Sequence, residues 1–309
     1  VNDTSATAYR WPAIAAYLAV WTTAFLFLRS EKAFQPQEAL AGLVILGLIF
    51  PALALLATRR AVPLAHMVRR PPRETALLIG YLAVIAAVLV AGFGRVAQIT
   101  AEPLHSVVLL AVKLATFVVA PAALVALTKG YRLRELMPVS LCGRDLRPAL
   151  WMSLAAILMQ CVLGRGLRDL SQAHVPVPAL LLGIPLSFAW LIVEVGVVEE
   201  FFFRALLQSR LAAALRSEWA GLVIAGLSFG LVHAPGFYLR PAATMETLGA
   251  NPSLLMAVGY SLAMTSLAGL FLGILWMRTR NFAVVVIVHA AGDLLPNLLP
   301  FLRDFHLIH

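Results

Sequence analysis

Residues 179–203 read ALLLGIPLSFAWLIVEVGVVEEFFF, long enough to cross a hydrocarbon core of about 30 Å as a helix of roughly 20 residues. The only ionisable groups in the stretch are Glu194, Glu199 and Glu200, and it shows none of the period-2 alternation that a barrel strand needs. Backbone amides in lipid must be satisfied within their own segment, so the reading is a transmembrane helix. Comparable runs recur near residues 11–28, 38–58, 75–94, 105–127, 148–164, 219–234, 253–277 and 281–301. The expected fold class is all-α, a polytopic transmembrane helical bundle of eight or nine spans.

The composition agrees. Of 309 residues 61% are apolar and 13% charged, against about 25% charged in an average soluble chain, which excludes soluble, disordered and fibrous classes. The net charge of +9 does not point to nucleic acid, because the basic residues sit in short pairs between apolar runs rather than along one face. The bilayer is the expected partner. Cys142 and Cys161 form no motif and read as packing residues. No small-residue cleavage site follows the first run, so it is expected to remain as an anchor. With Lys113 set aside, the N-terminus and the even-numbered loops hold 16 Lys and Arg and the opposite side 7, which predicts a cytoplasmic N-terminus. The basic and apolar loop at 128–147 suits the headgroup level.

An ionisable side chain at the bilayer centre costs roughly 2.5–3.5 kcal/mol, so each one calls for a partner or a function. Leaving aside Glu38 and His105 at span boundaries, the acids within the predicted spans are Glu194, Glu199, Glu200 and Asp293, joined by His233 and His289, all beyond residue 178. The first half otherwise offers Lys113, and any chemistry is expected in the second half. In α-helical winding Glu200 and Arg204 share a face and can pair. Glu199 is turned by about 100° from Glu200 and stays available, so one acid braces while the other reacts. Phe229 and His233 share a face just before Pro235, and His289 and Asp293 form a second i, i+4 pair in which the aspartate can fix the histidine tautomer. Thr265, Gly269 and Gly273 make a small-residue ridge for close helix packing.

Taken in order, Glu199-Glu200-x-x-x-Arg204, Phe229-x-x-x-His233 and His289-x-x-x-Asp293 resemble the CPBP intramembrane proteases, the family of type II CAAX prenyl endopeptidases and bacteriocin-processing or self-immunity proteins. Its pattern is Glu-Glu-x-x-x-Arg, Phe-x-x-x-His and His-x-x-x-Asn or Asp. The resemblance implies a protease core at 178–303 and leaves 1–177 as a transmembrane region of unassigned role. It implies an endopeptidase cutting near the membrane-anchored end, prenylated or hydrophobic, of a protein or peptide substrate. Glu199 would be the general base with His233 holding the water, Glu200 and Arg204 would order the site, and His289 and Asp293 would serve the oxyanion. An ionised aspartate accepts hydrogen bonds and cannot donate one, so Asp293 is expected to act by orienting His289.

A divalent metal such as zinc on Glu199, His233 and His289 stays open as an alternative to a glutamate mechanism, although the His-Glu-x-x-His helix of common zinc peptidases is missing. A transporter using the same polar residues as a relay, or a non-catalytic immunity or scaffold protein, are the competing readings. The boundaries also set a tension. Glu199 falls near the cytoplasmic end of its span and His233 near the opposite end of the next, too far apart at 1.5 Å per residue to share a water. A sixth helix that lies shifted, or a seventh that starts outside the membrane, would relieve it.

Overall fold

Segments apolar on every side leave no face for water, and each here winds into a helix that satisfies its own backbone. The computed structural model describes residues 10–32, 34–96, 99, 101–239 and 252–308. Among the described residues no strand occurs, and nine helices are long and apolar enough to span a membrane. They are α1 (Arg10–Arg29), α2 (Pro36–Ala57), α3 (Pro71–Val96), α4 (Leu104–Leu127), α5 (Gly143–Leu163), α6 (Val177–Leu215), α7 (Glu218–Leu239), α8 (Leu254–Thr279) and α9 (Phe282–Asp304). The protein is an all-α, multi-pass membrane protein.

Two boundaries differ from the sequence expectation for the same reason. α6 does not end near residue 203 but continues to Leu215, because Arg204, Gln208, Ser209 and Arg210, which read as a loop, are buried. Their polar atoms bond to helix backbone and to each other's neighbours. Ser209 Oγ donates to Arg204 O at 3.0 Å, Arg210 Nη1 to Ala205 O at 2.9 Å, and Gln208 Nε2 to Gly273 O at 2.9 Å. Glu199 therefore lies in mid-helix, sixteen residues before Leu215, and not at the end of its span. At the other boundary α3 begins at Pro71 and takes Glu74 into its first turn, so a buried acid exists in the first half after all.

The described residues form two compact units. One unit contains the described part of Val1–Leu56 with Met67–Val90 and Phe203–Arg278. Tyr17, Trp21 and Leu28 of α1 pack there with Val223 of α7 and with Ala263 and Leu267 of α8. Trp21 Nε1 donates to Ala263 O at 2.8 Å, so the indole carries its polar edge into the core with an acceptor waiting. The predicted ridge on α8 meets α7. A Cβ on Gly269 would stand 2.7 Å from Gly226 O, so the two helices cross at a distance that excludes any side chain. Arg210 and Glu74, both fully buried, form an ion pair at 3.0 Å, and the other Glu74 oxygen accepts from Arg70 N at 2.8 Å.

The second unit contains Ala57–His66, Ala91–Phe202 and Thr279–His309, with α9 as its buried axis. Leu191 and Val195 of α6 pack on Ala290 and Leu294, and Leu170 packs on Leu298 and Leu302. A Cβ on Gly196 would lie 2.9 Å from a Val286 methyl, so α6 and α9 touch nearly backbone to backbone just before the Glu pair. Asn281 caps α9, its Oδ1 accepting from Ala283 N at 3.2 Å while its Nδ2 donates to Ser140 O at 2.9 Å. Lys113 of α4 pairs with Glu194 of α6, which accounts for both residues without a catalytic role.

Removing one member of a buried ion pair leaves the other charged and enclosed, at a cost of about 3–5 kcal/mol, whereas an apolar pair of similar volume is often neutral. Glu74→Gln or Arg210→Met should each lower the thermal unfolding midpoint in detergent sharply. The Glu74→Leu/Arg210→Met double variant should recover most of it.

Candidate functional site

Glu199 and Glu200 sit in a short α-helical turn between two wider-wound stretches of α6, Ile192–Val197 and Phe201–Gln208, both π-helical. Such i→i+5 winding inserts extra residues into a turn and often accompanies functional sites. It also changes which residues share a face. From Phe201 onward positions five apart come into register.

In the second unit the structure brings four of the predicted residues together. His289 Nδ1 and Glu200 Oε1 are 2.8 Å apart, with the carboxylate fully sealed and the imidazole 10% exposed. A carboxylate accepts, so Nδ1 carries a proton towards Glu200, and Nε2 is the ring nitrogen on the opposite edge. On that side stand Asp293 Oδ2 at 3.7 Å and Glu199 Oε2 at 3.9 Å, beyond direct hydrogen bonding and within the range that one water bridges. Exposure rises from Glu200 at 0% to Glu199 at 16% and Asp293 at 38%. The acid that bonds Nδ1 is thus the enclosed one, and the two acids on the Nε2 side are the more exposed.

The tautomer was expected to be set by Asp293, and the structure gives that bond to Glu200. The reason is geometric: Asp293 lies one turn further along α9 on the Nε2 side, while α6 meets the ring at Nδ1. Asp293 is held in turn through its backbone, its carbonyl accepting from Asn297 Nδ2 at 2.8 Å. A separate cavity of about 170 Å³ is lined among others by Ser187 and Glu194 of α6 and by Asn297 and Asp304 of α9.

In the first unit the rest of the pattern converges on Phe229. The Arg204 guanidinium lies 4.5 Å from the Phe229 ring centroid, a cation–π contact. The half-buried His233 places Nδ1 2.8 Å from Phe229 O and its ring 5.0 Å from the Phe229 ring. The backbone carbonyl accepts, so in His233 too Nδ1 holds the proton. Among the described residues no three His, Cys, Asp or Glu side chains are set to hold a metal ion.

Paired glutamates thus face a buried histidine inside a helical membrane bundle. The family model for type II CAAX prenyl endopeptidases, Rce1-like, matches residues 180–295, a stretch that contains every one of these side chains. Residues 180–295 therefore carry a domain of the CAAX protease type, which supports an intramembrane CAAX-type endopeptidase in general. Neither a curated protein nor a solved structure matches the chain. Sequence reading missed Gln160, Glu74 and Arg210. The signal for Glu74 and Arg210 was their charge at the edges of apolar runs.

Leaving a buried donor without its acceptor costs about 1–3 kcal/mol. Glu200→Leu should therefore lower the unfolding midpoint clearly, because it strands His289 Nδ1, while the isosteric Glu199→Gln should leave it nearly unchanged. Differential scanning fluorimetry of the detergent-solubilised protein measures both.

Proposed function

We propose that the protein hydrolyses a peptide bond near the membrane-anchored end, prenylated or hydrophobic, of a protein substrate, with Glu199 as general base. The observation that carries the reading is the Nε2 side of His289, flanked by the Glu199 and Asp293 carboxylates while Nδ1 is committed to sealed Glu200.

A water held among Nε2, Glu199 and Asp293 gives its proton to Glu199 as its oxygen attacks the scissile carbonyl. The carbonyl π electrons move to oxygen, and His289, when doubly protonated, donates Nε2–H to that oxyanion while Glu200 holds Nδ1–H. The tetrahedral centre collapses, the C–N bond breaks, and the proton on Glu199 passes to the leaving amine. Asp293 orients the ring and the water rather than the oxyanion. Arg204 and His233 retain the ordering and water-holding roles that the family pattern assigns to their positions.

The expected result is that Glu199→Gln and His289→Ala each abolish shortening of a lipid-anchored C-terminal reporter in proteoliposomes, and that His233→Ala does so as well, with membrane levels unchanged. C-terminal peptide mass spectrometry reads the product, and full cleavage by Glu199→Gln would remove the assigned base.

The N-terminus is proposed to lie on the cytoplasmic side. Arg204 and Arg210 fall inside α6 and leave the loop count, which keeps its sign without them. Cys142, just before α5, and Cys161, in its last turn, are both exposed. A membrane-impermeant maleimide added to sealed right-side-out vesicles should label Cys161 and spare Cys142 until the membrane is opened.

A further inference from the structure

α9 carries Pro296 one turn beyond the His289 and Asp293 pair. Proline has no N–H, so the carbonyl four residues earlier, Gly292 O, loses its helical donor, and the ring crowds that carbonyl. Within a membrane no bulk water replaces the missing bond, and side chains of neighbouring helices must do so.

The structure supplies one such side chain. Gln160 of α5 is 4% exposed, and its amide is inserted into α9 at this point. Nε2 donates to Gly292 O at 2.7 Å and to Ala291 O at 3.0 Å, while Oε1 accepts from Leu295 N at 3.1 Å. Both amide protons and the amide oxygen are therefore used on α9 backbone. The peptide groups it grips are those of Ala291 and Gly292, which lie between His289 and Asp293 in sequence. The far side of Leu295 is closed as well, because a Cβ on Gly166 would meet Leu295 O at 2.6 Å.

We propose that Gln160 is a positioning residue for the His289 and Asp293 pair. Its amide substitutes for the hydrogen bonding that Pro296 removes and so sets the local course of α9 that holds the Asp293 carboxylate 3.7 Å from His289 Nε2. Gln160 and Pro296 both lie outside the matched residues 180–295, so this gives the N-terminal part of the chain a share in the site. The splice into α9 stands on its distances alone. Its catalytic consequence rests on the roles assigned to His289 and Asp293 above.

The test is a cycle of Gln160→Met, Pro296→Ala and the double variant in the full chain, reconstituted in proteoliposomes. Alanine at 296 restores an N–H for Gly292 O and makes the Gln160 amide dispensable. Gln160→Met alone should lower the unfolding midpoint by about 3–6 °C, and adding Pro296→Ala should recover most of that loss. Additive losses, or a double variant that fails to accumulate along with the single one, would overturn the splice.

Against a lipid-anchored peptide reporter, Gln160→Met should reduce kcat by roughly tenfold or more with KM within about twofold, as a small misplacement of reacting groups does. The double variant should regain most of it. An unchanged kcat, or a rise confined to KM, would reduce Gln160 to a packing residue. A wild type that never cleaves the reporter would count against the protease reading, and the midpoint cycle would still decide whether Gln160 completes α9.

Discussion

A carboxylate sealed inside a membrane protein survives as part of a stable fold only where the protein itself bonds it. Glu200 meets that condition through His289 Nδ1 at 2.8 Å. The bond ties α6 to α9, sets which nitrogen of the imidazole is left for chemistry, and leaves Glu199 to face the opposite edge of the ring. Close contact at Gly196 and Val286, a few residues earlier on α6, lets the two backbones come near enough for the bond to form. Bracing and reactivity are in this way divided between two adjacent glutamates by burial rather than by residue type.

The same constraint explains the other polar residues of the interior. Arg210 is fixed on Glu74 and on the carbonyls of its own helix, Lys113 on Glu194, and Gln160 on the backbone of α9. Each satisfies a group that lipid cannot. Around Nε2 of His289, by contrast, carboxylate oxygens of Asp293 and Glu199 stand at 3.7 and 3.9 Å, too far for a direct bond. That difference separates a site suited to hold a water from polar residues that close the fold, and it coincides with the stretch matched by the Rce1-like family model.

How much of this was legible in the sequence follows from which signals are local. Nine apolar runs mark the nine spanning helices found among the described residues, because a span must be apolar over its whole length and that property is visible residue by residue. Glu199, Glu200, His289 and Asp293 were visible as ionisable groups in such runs. The end of α6 was hidden, because Arg204 and Arg210 look like a loop when their partners, Phe229 and Glu74, are out of view. The partner of His289 was hidden likewise, since spacing on one helix favours Asp293 and says nothing of a glutamate on another.

Length, hydropathy and the order of three short motifs carried the fold class and the candidate residues, because insertion into a bilayer and helical periodicity act on neighbours along the chain. The pairing of Glu200 with His289, the winding of α6 around the Glu pair and the insertion of Gln160 into α9 depend on contacts between residues 89 to 135 positions apart. Such contacts form only when helices pack, and packing depends on side-chain volumes and backbone approach at points like Gly196 that no local pattern encodes.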